Sequence, residues 1–210
     1  KGRHLEKYRR TGKPVVLIDR EINGLGCDSV CADNREAMKE AVKLLVENGH
    51  RGIGMVAGTQ DVLTAQERLM GYEEACRENG IPLRESYIYS GDCTIESGVL
   101  GLETLVRNNP EMTAVVVGNY NMSVGVMIGM NELGLSVPEE LSVIGFDNLQ
   151  FARACRPRLT ILDQPTGEIA DHAARIMLER LEKTDCAGNA QPYKVRLKTA
   201  LIPGSSVRKL

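Results

Sequence analysis

"SVIGFDNLQF", residues 142–151, is the stretch from which the fold can be inferred. Its first five residues are apolar or small and have the length of a buried β-strand. Strands that are apolar throughout are typical of parallel sheets, because helices cover both faces of such sheets. The strand then ends at a carboxylate, Asp147, which is followed by Asn148. This polar end can be explained either by a turn or by a binding site.

Runs of the same kind alternate with amphipathic helical patterns along the chain, which predicts an α/β fold with parallel sheets flanked by helices. The predicted strands are residues 14–19, 29–33, 52–58, 86–91, 113–119, 141–147, 159–164 and 193–201. The predicted helices are residues 35–48, 65–79, 96–108, 122–133 and 166–183. Thr64 and Glu67 fit a capping box, so we expect the second helix to begin at Thr64. Residues 183–192 are the best candidate for a surface loop.

Composition excludes several classes of protein. The net charge of −2 gives no reason to expect nucleic acid or an acidic membrane as a partner of this chain. No run of 18 apolar residues exists, and the basic, polar start lacks the apolar core of a signal peptide. Six scattered cysteines indicate reduced thiols in the cytoplasm. Cys27 and Cys31 have neither the spacing nor the accompanying ligands of a zinc or redox site, so we expect no metal.

Motifs of catalysis are also missing from the sequence. No glycine-rich nucleotide loop, Walker A motif or nucleophile elbow is present, so we expect no catalytic residues and no cofactor. The segment "GVMIG", residues 125–129, is best explained by close helix packing. We expect His50 to close a helix and contact its last carbonyls, and Cys93 to be a packed cysteine rather than a reactive one.

Polar side chains stand where the predicted strands end, and in a parallel sheet ligands bind at that edge. These residues are Asp19, Thr59, Gln60, Asp92, Asn119 and Asp147. Arg68 lies one turn into the helix predicted to begin at Thr64, so its guanidinium can reach over the same edge of the sheet. Carboxylates accept from vicinal hydroxyls and the arginine fork donates, which suits a polyhydroxylated ligand. The alternatives are a cap or a turn for each Asp or Asn, and a solvated position for the arginine.

Several segments resemble the effector-binding region of the lactose-repressor (LacI/GalR) family of bacterial transcription regulators. They are "DNREAMKEAVKLLVENGHRGIGMVAG", "ERLMGYEEACRENGI", "NYNMSVGVMIGMNELGLSVPEELSVIGFDN" and "RPRLTILDQPTGEIADHAARIMLERL". The resemblance runs in order over essentially the whole chain. It implies two similar α/β lobes of the periplasmic-binding-protein type I kind, with a small ligand between them.

The resemblance also implies roles for individual residues. Arg68, in "ERLMGY", matches the arginine that clamps the effector, and Asp147, in "GFDN", matches the aspartate that binds hydroxyls. Asn119 matches an asparagine of the pocket, and Asp19 a polar pocket residue of the first lobe. Two further residues match positions that line the pocket: Thr64 and Cys93.

Two departures from the family pattern bear on the ligand. Tyr120 follows Asn119 where the family often has aspartate. Cys93 stands where several sugar-binding members carry an aromatic ring, which would pack on the C–H face of a sugar. Tyr120 could supply that ring. A stacked pyranose, a smaller or acidic sugar, and an effector that is not a sugar therefore all stay open.

The resemblance predicts an N-terminally truncated chain. Family members begin with a helix-turn-helix, a hinge helix and several βα units of the first lobe, and this chain starts after them. We expect residues 1–32 and 161–190 to form a partial first lobe, residues 33–160 and 191–202 the second lobe, and residues 203–210 a tail. The incomplete first lobe is expected to expose apolar surface and to favour association.

The predicted function is therefore that of an effector-binding domain of a transcription regulator, and not that of an enzyme. We expect a sugar or sugar derivative as the effector, a cytoplasmic homodimer, and operator DNA bound only through the missing N-terminal domain. No membrane partner is expected. The alternatives are a periplasmic sugar-binding protein of a transporter, a doubly wound enzyme, and a regulator that responds to a phosphoprotein.

Overall fold

The computed structural model describes residues 5, 7–8, 11–22, 24–182 and 191–210. Contacts divide the chain into two compact units. Unit 1 comprises Lys1–Asp33 and Pro165–Lys198, and unit 2 comprises Asn34–Gln164 and Thr199–Leu210. The chain therefore passes between the units three times, and each unit is assembled from two separate pieces of sequence.

Strands and helices alternate through most of the chain, as the apolar patterns predict. The strands are β1 (Val16–Ile18), β2 (Asp28–Ala32), β3 (Ile53–Ala57), β4 (Ile88–Ser90), β5 (Ala114–Val117), β6 (Ser142–Phe146), β7 (Thr160–Asp163), β8 (Lys194–Leu197) and β9 (Ala200–Ile202). The helices are α1 (Asn34–Glu47), α2 (Leu63–Glu78), α3 (Ile95–Asn108), α4 (Tyr120–Glu132), α5 (Leu149–Ala154) and α6 (Thr166–Glu182), with a 3-10 turn at Glu85–Tyr87.

Unit 1 contains a three-stranded parallel sheet in the order β1–β2–β8. Helix α6 packs on it through Ile169, Ala173 and Ile176, which surround Val30 of the central strand. Asp28 at the start of β2 receives two hydrogen bonds from the guanidinium of Arg180, at 2.9 and 2.7 Å. This ion pair joins the end of α6 to the sheet.

Unit 2 contains a six-stranded sheet in the order β4–β3–β5–β6–β7–β9. The first five strands are parallel, and β9 is antiparallel to β7. Strands β3, β5 and β6 are buried along their whole length. One apolar cluster contains residues of α1 and α2, and a second contains residues of α3, α4 and α5, so helices cover both faces. The predicted fold class is confirmed.

Glycines allow the helices of unit 2 to pack closely in pairs. A Cβ on Gly125 would collide with the carbonyl oxygen of Ile95, which confirms that "GVMIG" is a packing motif between α3 and α4. A Cβ on Gly71 would likewise collide with the backbone of Arg35, where α1 crosses α2. The next residue, Tyr72, donates from its hydroxyl to the carbonyl of Ile53 at 2.7 Å.

Residues 203–210, predicted to be a tail, are part of unit 2. Ser206 is fully buried, and its hydroxyl donates to the carbonyl of Val143 at 2.6 Å and accepts from the amide of Thr160 at 2.7 Å. The prediction was wrong because hydrogen bonds hold this short polar segment to the sheet, and the apolar pattern of the sequence does not reveal such hydrogen bonds.

His50 lies beneath the same segment. Its ring contacts the hydroxyl of Thr113 at 2.9 Å and the carbonyl of Arg208 at 3.0 Å. The backbone amide of His50 donates to the carbonyl of Leu45, so His50 closes α1 and contacts one of its last carbonyls, as predicted. This contact is made by the backbone and not by the ring. Burial lowers the pKa of His50 below its usual value, although the hydrogen bond to Arg208 works in the opposite direction.

Some predicted boundaries were wrong. The predicted strand at 193–201 is two strands, with β8 in unit 1 and β9 in unit 2, so the second lobe does not include residues 191–198. Strand β7 pairs with β6 and belongs to unit 2, although 161–190 was assigned to the first lobe. Most of the loop predicted at 183–192 lies outside the described residues.

The start of α2 also differs from the prediction. The helix begins at Leu63, and the N-cap residue is Val62, which makes no side-chain capping hydrogen bond. Thr64 is therefore inside the first turn. Helix α5 was not predicted, because six residues are too few to show a helical period.

Candidate functional site

The order of strands in unit 2 reverses at one point along the carboxyl edge of its sheet. From β3 the chain moves to β4 on one side, and then to β5 on the other side of β3. Ligands in open α/β sheets bind where the strand order reverses in this way. Gly58 and Gly118 follow β3 and β5 there, and the amide of Gly118 donates to Val56 at 2.8 Å.

Arg68 lies across this edge. The residue is 7% exposed, and it is carried by α2, which follows β3. Its Nη1 donates to the carbonyl of Gly118 at 2.7 Å, and its Nε donates to Oδ1 of Asn34 at 2.7 Å. The centre of its guanidinium lies 3.8 Å from the centroid of the Phe146 ring. The arginine therefore spans the ends of β5 and β6, as the sequence predicts, and it is not a solvated surface residue.

Asp147 follows β6 in a left-handed backbone conformation, with φ of 59°. Its amide donates to Leu162 at 2.7 Å. Its carboxylate accepts from the side-chain amide of Gln164 at 2.7 Å and from the backbone amide of Gln164 at 3.3 Å. The neighbouring residue, Asn148, is the cap of α5. Asp147 is thus not a helix cap, and its carboxylate is held by the residue that follows β7.

Left-handed backbone conformations concentrate at the predicted site residues. A non-glycine residue with positive φ costs roughly 1–3 kcal/mol, and such residues cluster at functional sites. Four described residues are of this kind: Asp19, Cys93, Asp147 and Asn148. Three of these four were chosen from the sequence alone as ligand-binding candidates.

Asn119 caps α4, which is the alternative role that the sequence allows for it. Its side chain accepts from the amide of Met122 at 2.8 Å. Its carbonyl accepts from the hydroxyl of Ser123 at 2.7 Å, and that hydroxyl accepts from the amide of Phe146 at 3.0 Å. The cap therefore also links the ends of β5 and β6. Although it is a cap, Asn119 lies at the same edge of the sheet as Arg68.

The remaining candidates of unit 2 lie on elements that begin or end at the same edge. Thr64 is buried in the first turn of α2. Cys93 is half-buried after β4, and its sulfur packs against the backbone of Gly58. Tyr120 opens α4, and its ring meets that of Phe151 edge to face, with 5.8 Å between centroids. Tyr120 is therefore an aromatic group already packed against α5.

Asp19 is not on this sheet. It follows β1 in unit 1, where its amide donates to Val30 at 2.9 Å. The prediction that all strand-end residues share one edge was wrong for Asp19, because the strands form two sheets rather than one. Asp92 behaves as a turn residue, since its carboxylate accepts from the hydroxyl of Thr94 at 2.6 Å. That hydrogen bond holds the pKa of Asp92 below its usual value.

Two residues that contact the site were missed. Gln164 directly follows β7, so the rule that selected Asp147 would have selected it as well. Asn34 accepts from Arg68, and its side-chain amide donates to Glu67 at 3.2 Å. Nothing in the local sequence distinguishes Asn34 from an ordinary residue at a helix start.

The described residues contain neither a cluster of metal ligands nor a helix that could span a membrane. No three of their His, Cys, Asp or Glu side chains come together so as to hold a metal ion. Over the same part of the chain, no helix is long and apolar enough to cross a membrane.

Comparisons with known proteins identify relatives of the chain. Residues 42–207 match the model of the periplasmic binding protein-like domain. Catabolite control protein A of Priestia megaterium is 35% identical over 181 residues, which are 86% of this chain and 54% of that protein. The chain thus spans about half the length of this relative.

Solved structures are similar as well. A complex of the transcriptional regulator CelR with cellobiose superposes with a TM-score of 0.83 at 26% identity, over 97% of this chain and 69% of that one. A sugar-binding transcriptional regulator of the LacI family from Escherichia coli, complexed with phosphate, superposes with a TM-score of 0.81 at 29% identity. That match covers 100% of this chain and 74% of the other.

Proposed function

Because the chain belongs to the LacI family of transcription regulators and carries its periplasmic binding protein-like domain, we propose that it binds a small polyhydroxylated effector. The effector binds at the carboxyl edge of the unit 2 sheet. The observation that carries this proposal is the buried guanidinium of Arg68, fixed across the ends of β5 and β6 beside the switch in strand order.

The chemistry of this edge suits a sugar or a sugar derivative. Asp147 can accept from two hydroxyls, and Arg68 can donate in a planar fork. Gln164 adds an acceptor, because its Oε1 is buried and has no hydrogen-bond partner within the described residues. A buried acceptor without a partner costs roughly 1–3 kcal/mol, which a ligand hydroxyl would relieve. The similar regulator CelR was solved with cellobiose, which supports the same class of ligand.

The other proposed site residues of unit 2 are Thr64, Cys93, Asn119 and Tyr120. The effector controls the binding of operator DNA through a helix-turn-helix that precedes this region in the intact regulator, which is a cytoplasmic homodimer. No catalytic step is involved. The relatives are transcription regulators, which favours this function over that of a transport protein.

A thermal-shift panel tests the proposal. The panel contains pentoses, hexoses, disaccharides, sugar acids and sugar phosphates. A ligand at 100 times its dissociation constant stabilises by about 2.7 kcal/mol, which for a chain of this size raises the melting temperature by roughly 5–10 °C. We expect one chemical class to give such a shift, and Arg68→Ala to abolish it.

Lys39→Ala is the matched control. It removes a cation that pairs with Glu78 on the exposed side of α1 and α2, away from the sheet edge. The shift should be the same in this variant as in the wild type. If no sugar shifts the wild type, or if Arg68→Ala keeps the full shift, the effector does not bind as proposed.

A further inference from the structure

Two amide residues mark two of the three points where the chain crosses between the units. The longer piece of unit 2 begins at Asn34 and ends at Gln164. Each of these residues holds one of the two charged residues of the proposed site. Asn34 accepts from Nε of Arg68, and Gln164 donates from Nε2 to Asp147, both at 2.7 Å. The two crossovers are therefore hydrogen-bonded directly to the two charges.

Asn34 joins the first crossover rigidly to Arg68. The residue is completely buried and is the first residue of α1. Its side chain contacts both Glu67 and Arg68, which are consecutive in α2. Directly after it, the backbone of Arg35 touches Gly71, and the side chain of Arg35 pairs with Glu74. Helix α1 cannot slide along α2 without breaking these contacts.

Gln164 plays the corresponding part at the second crossover. Both its backbone amide and its side-chain amide donate to the carboxylate of Asp147. The next residue, Pro165, has no backbone N–H and already belongs to unit 1. Any change in the carboxylate of Asp147 therefore acts on the last backbone donor before the chain leaves unit 2.

We propose that Asn34 and Gln164 are positioning residues, which couple the contacts of the effector at Arg68 and Asp147 to the local stability of the two crossovers. Only the part of this inference that concerns the effector rests on the proposed function. The hydrogen bonds of Asn34 and Gln164 are present in the structure without an effector. Coupling of this kind is reciprocal: a perturbation at Arg68 loosens the first crossover, and a perturbation at Asn34 weakens the placement of Arg68.

The first experiment needs no ligand. Amide hydrogen exchange is measured on the whole chain for the wild type, Arg68→Lys, Asn34→Ala and the double variant. The loss of a hydrogen bond to a charged group should speed exchange of residues 33–37 by about tenfold or more. We expect both single variants to do so, the double variant to add nothing further, and residues 163–166 to stay unchanged. Asp147→Asn should speed exchange at residues 163–166 and leave exchange at residues 33–37 unchanged.

Two further variants separate coupling from a general loss of structure. N34D combined with E67Q restores an acceptor for Arg68 and a hydrogen bond to position 67, so exchange at residues 33–37 should return toward the wild-type rate. Lys39→Ala should change neither crossover. Additive effects in the double variant, or equal loosening of both crossovers by every variant, would overturn the proposal.

A second experiment adds D-ribose and cellobiose as probes. Whichever sugar binds the wild type should slow exchange at both crossovers. In Asn34→Ala the bound sugar should still protect residues 163–166 and no longer protect residues 33–37. Protection of both crossovers in this variant contradicts the proposal. If neither sugar nor any other member of the panel binds the wild type, the proposed function fails, and the experiment without ligand still decides the coupling.

Discussion

Single residues in this protein combine a structural role with a proposed chemical one. Asn119 caps a helix and stands at the site edge, and Asp147 accepts two hydrogen bonds from Gln164 while keeping a strained backbone. The sequence could indicate these positions, because polar residues after apolar strands are visible in it. It could not indicate Asn34, whose importance comes from a contact 34 positions away along the chain.

His50 provides a prediction about pH. Its pKa is lowered in the folded state by burial, whereas in the unfolded chain it titrates near its usual value of about 6.5. As the pH falls, the imidazole of His50 therefore binds a proton in the unfolded state before it does so in the folded state. The contribution of His50 to the free energy of unfolding is complete above about pH 6.5. It is lost as the pH falls through the pKa of His50 in the folded state, at up to about 1.4 kcal/mol per pH unit.

Urea unfolding at pH 7.5 and pH 5.5 measures this effect. The wild type should lose more stability between the two pH values than His50→Gln does, because glutamine cannot take up the proton. His172→Gln, on α6 of unit 1, is the control for loss of a histidine and should behave like the wild type. Equal losses in the wild type and His50→Gln would show that His50 does not govern acid stability.

Elements were predicted well where a period was long enough to be seen. All five long helices and the buried strands of unit 2 lie close to their predicted positions. The failures concern short segments, namely α5, β9 and the first turn of α2. In such segments hydrogen bonding to distant residues decides the structure, so local sequence carries little information about it.

The pairing of α1 with α2 gives a prediction for these helices. In Gly71→Ala the new methyl group meets the backbone of Arg35, so one helix must move. Overpacking of this kind costs roughly 1–3 kcal/mol. Gly167→Ala is the control, since a Cβ at Gly167 in α6 meets no atom within 4 Å.

Thermal unfolding compares the two substitutions directly. Alanine is the better helix former, so Gly167→Ala should leave the melting temperature unchanged or raise it. Gly71→Ala should lower it by several degrees. A melting temperature of Gly71→Ala equal to that of the wild type would mean that α1 and α2 can separate without cost.

At the scale of the whole molecule, the division into two units of two pieces each is predictable from the sequence, but two of the three boundaries are not. The first boundary was predicted between residues 32 and 33 and lies between Asp33 and Asn34, whereas those predicted between residues 160 and 161 and between residues 190 and 191 lie after Gln164 and after Lys198. The last crossing falls inside what looks like one continuous strand. Only the pairing of β8 with β2 and of β9 with β7 reveals it.

Ser206 tests how residues distant in sequence complete unit 2. Ser206→Ala removes the hydroxyl that serves both Val143 and Thr160, and groups left buried without a partner cost roughly 1–3 kcal/mol. Amide exchange at Thr160 should become faster. The adjacent residue Ser205 is exposed, so Ser205→Ala should have little effect. Unchanged exchange at Thr160 in Ser206→Ala would contradict this account.

The two-piece construction of unit 2 limits how it could be exchanged between related proteins. A single cassette ending at Gln164 would leave out β9 and Ser206, and so would deprive β7 of its antiparallel partner and His50 of the Arg208 carbonyl. Recombination that swaps the proposed effector site must therefore either transfer both pieces together or replace individual side chains within an intact sheet.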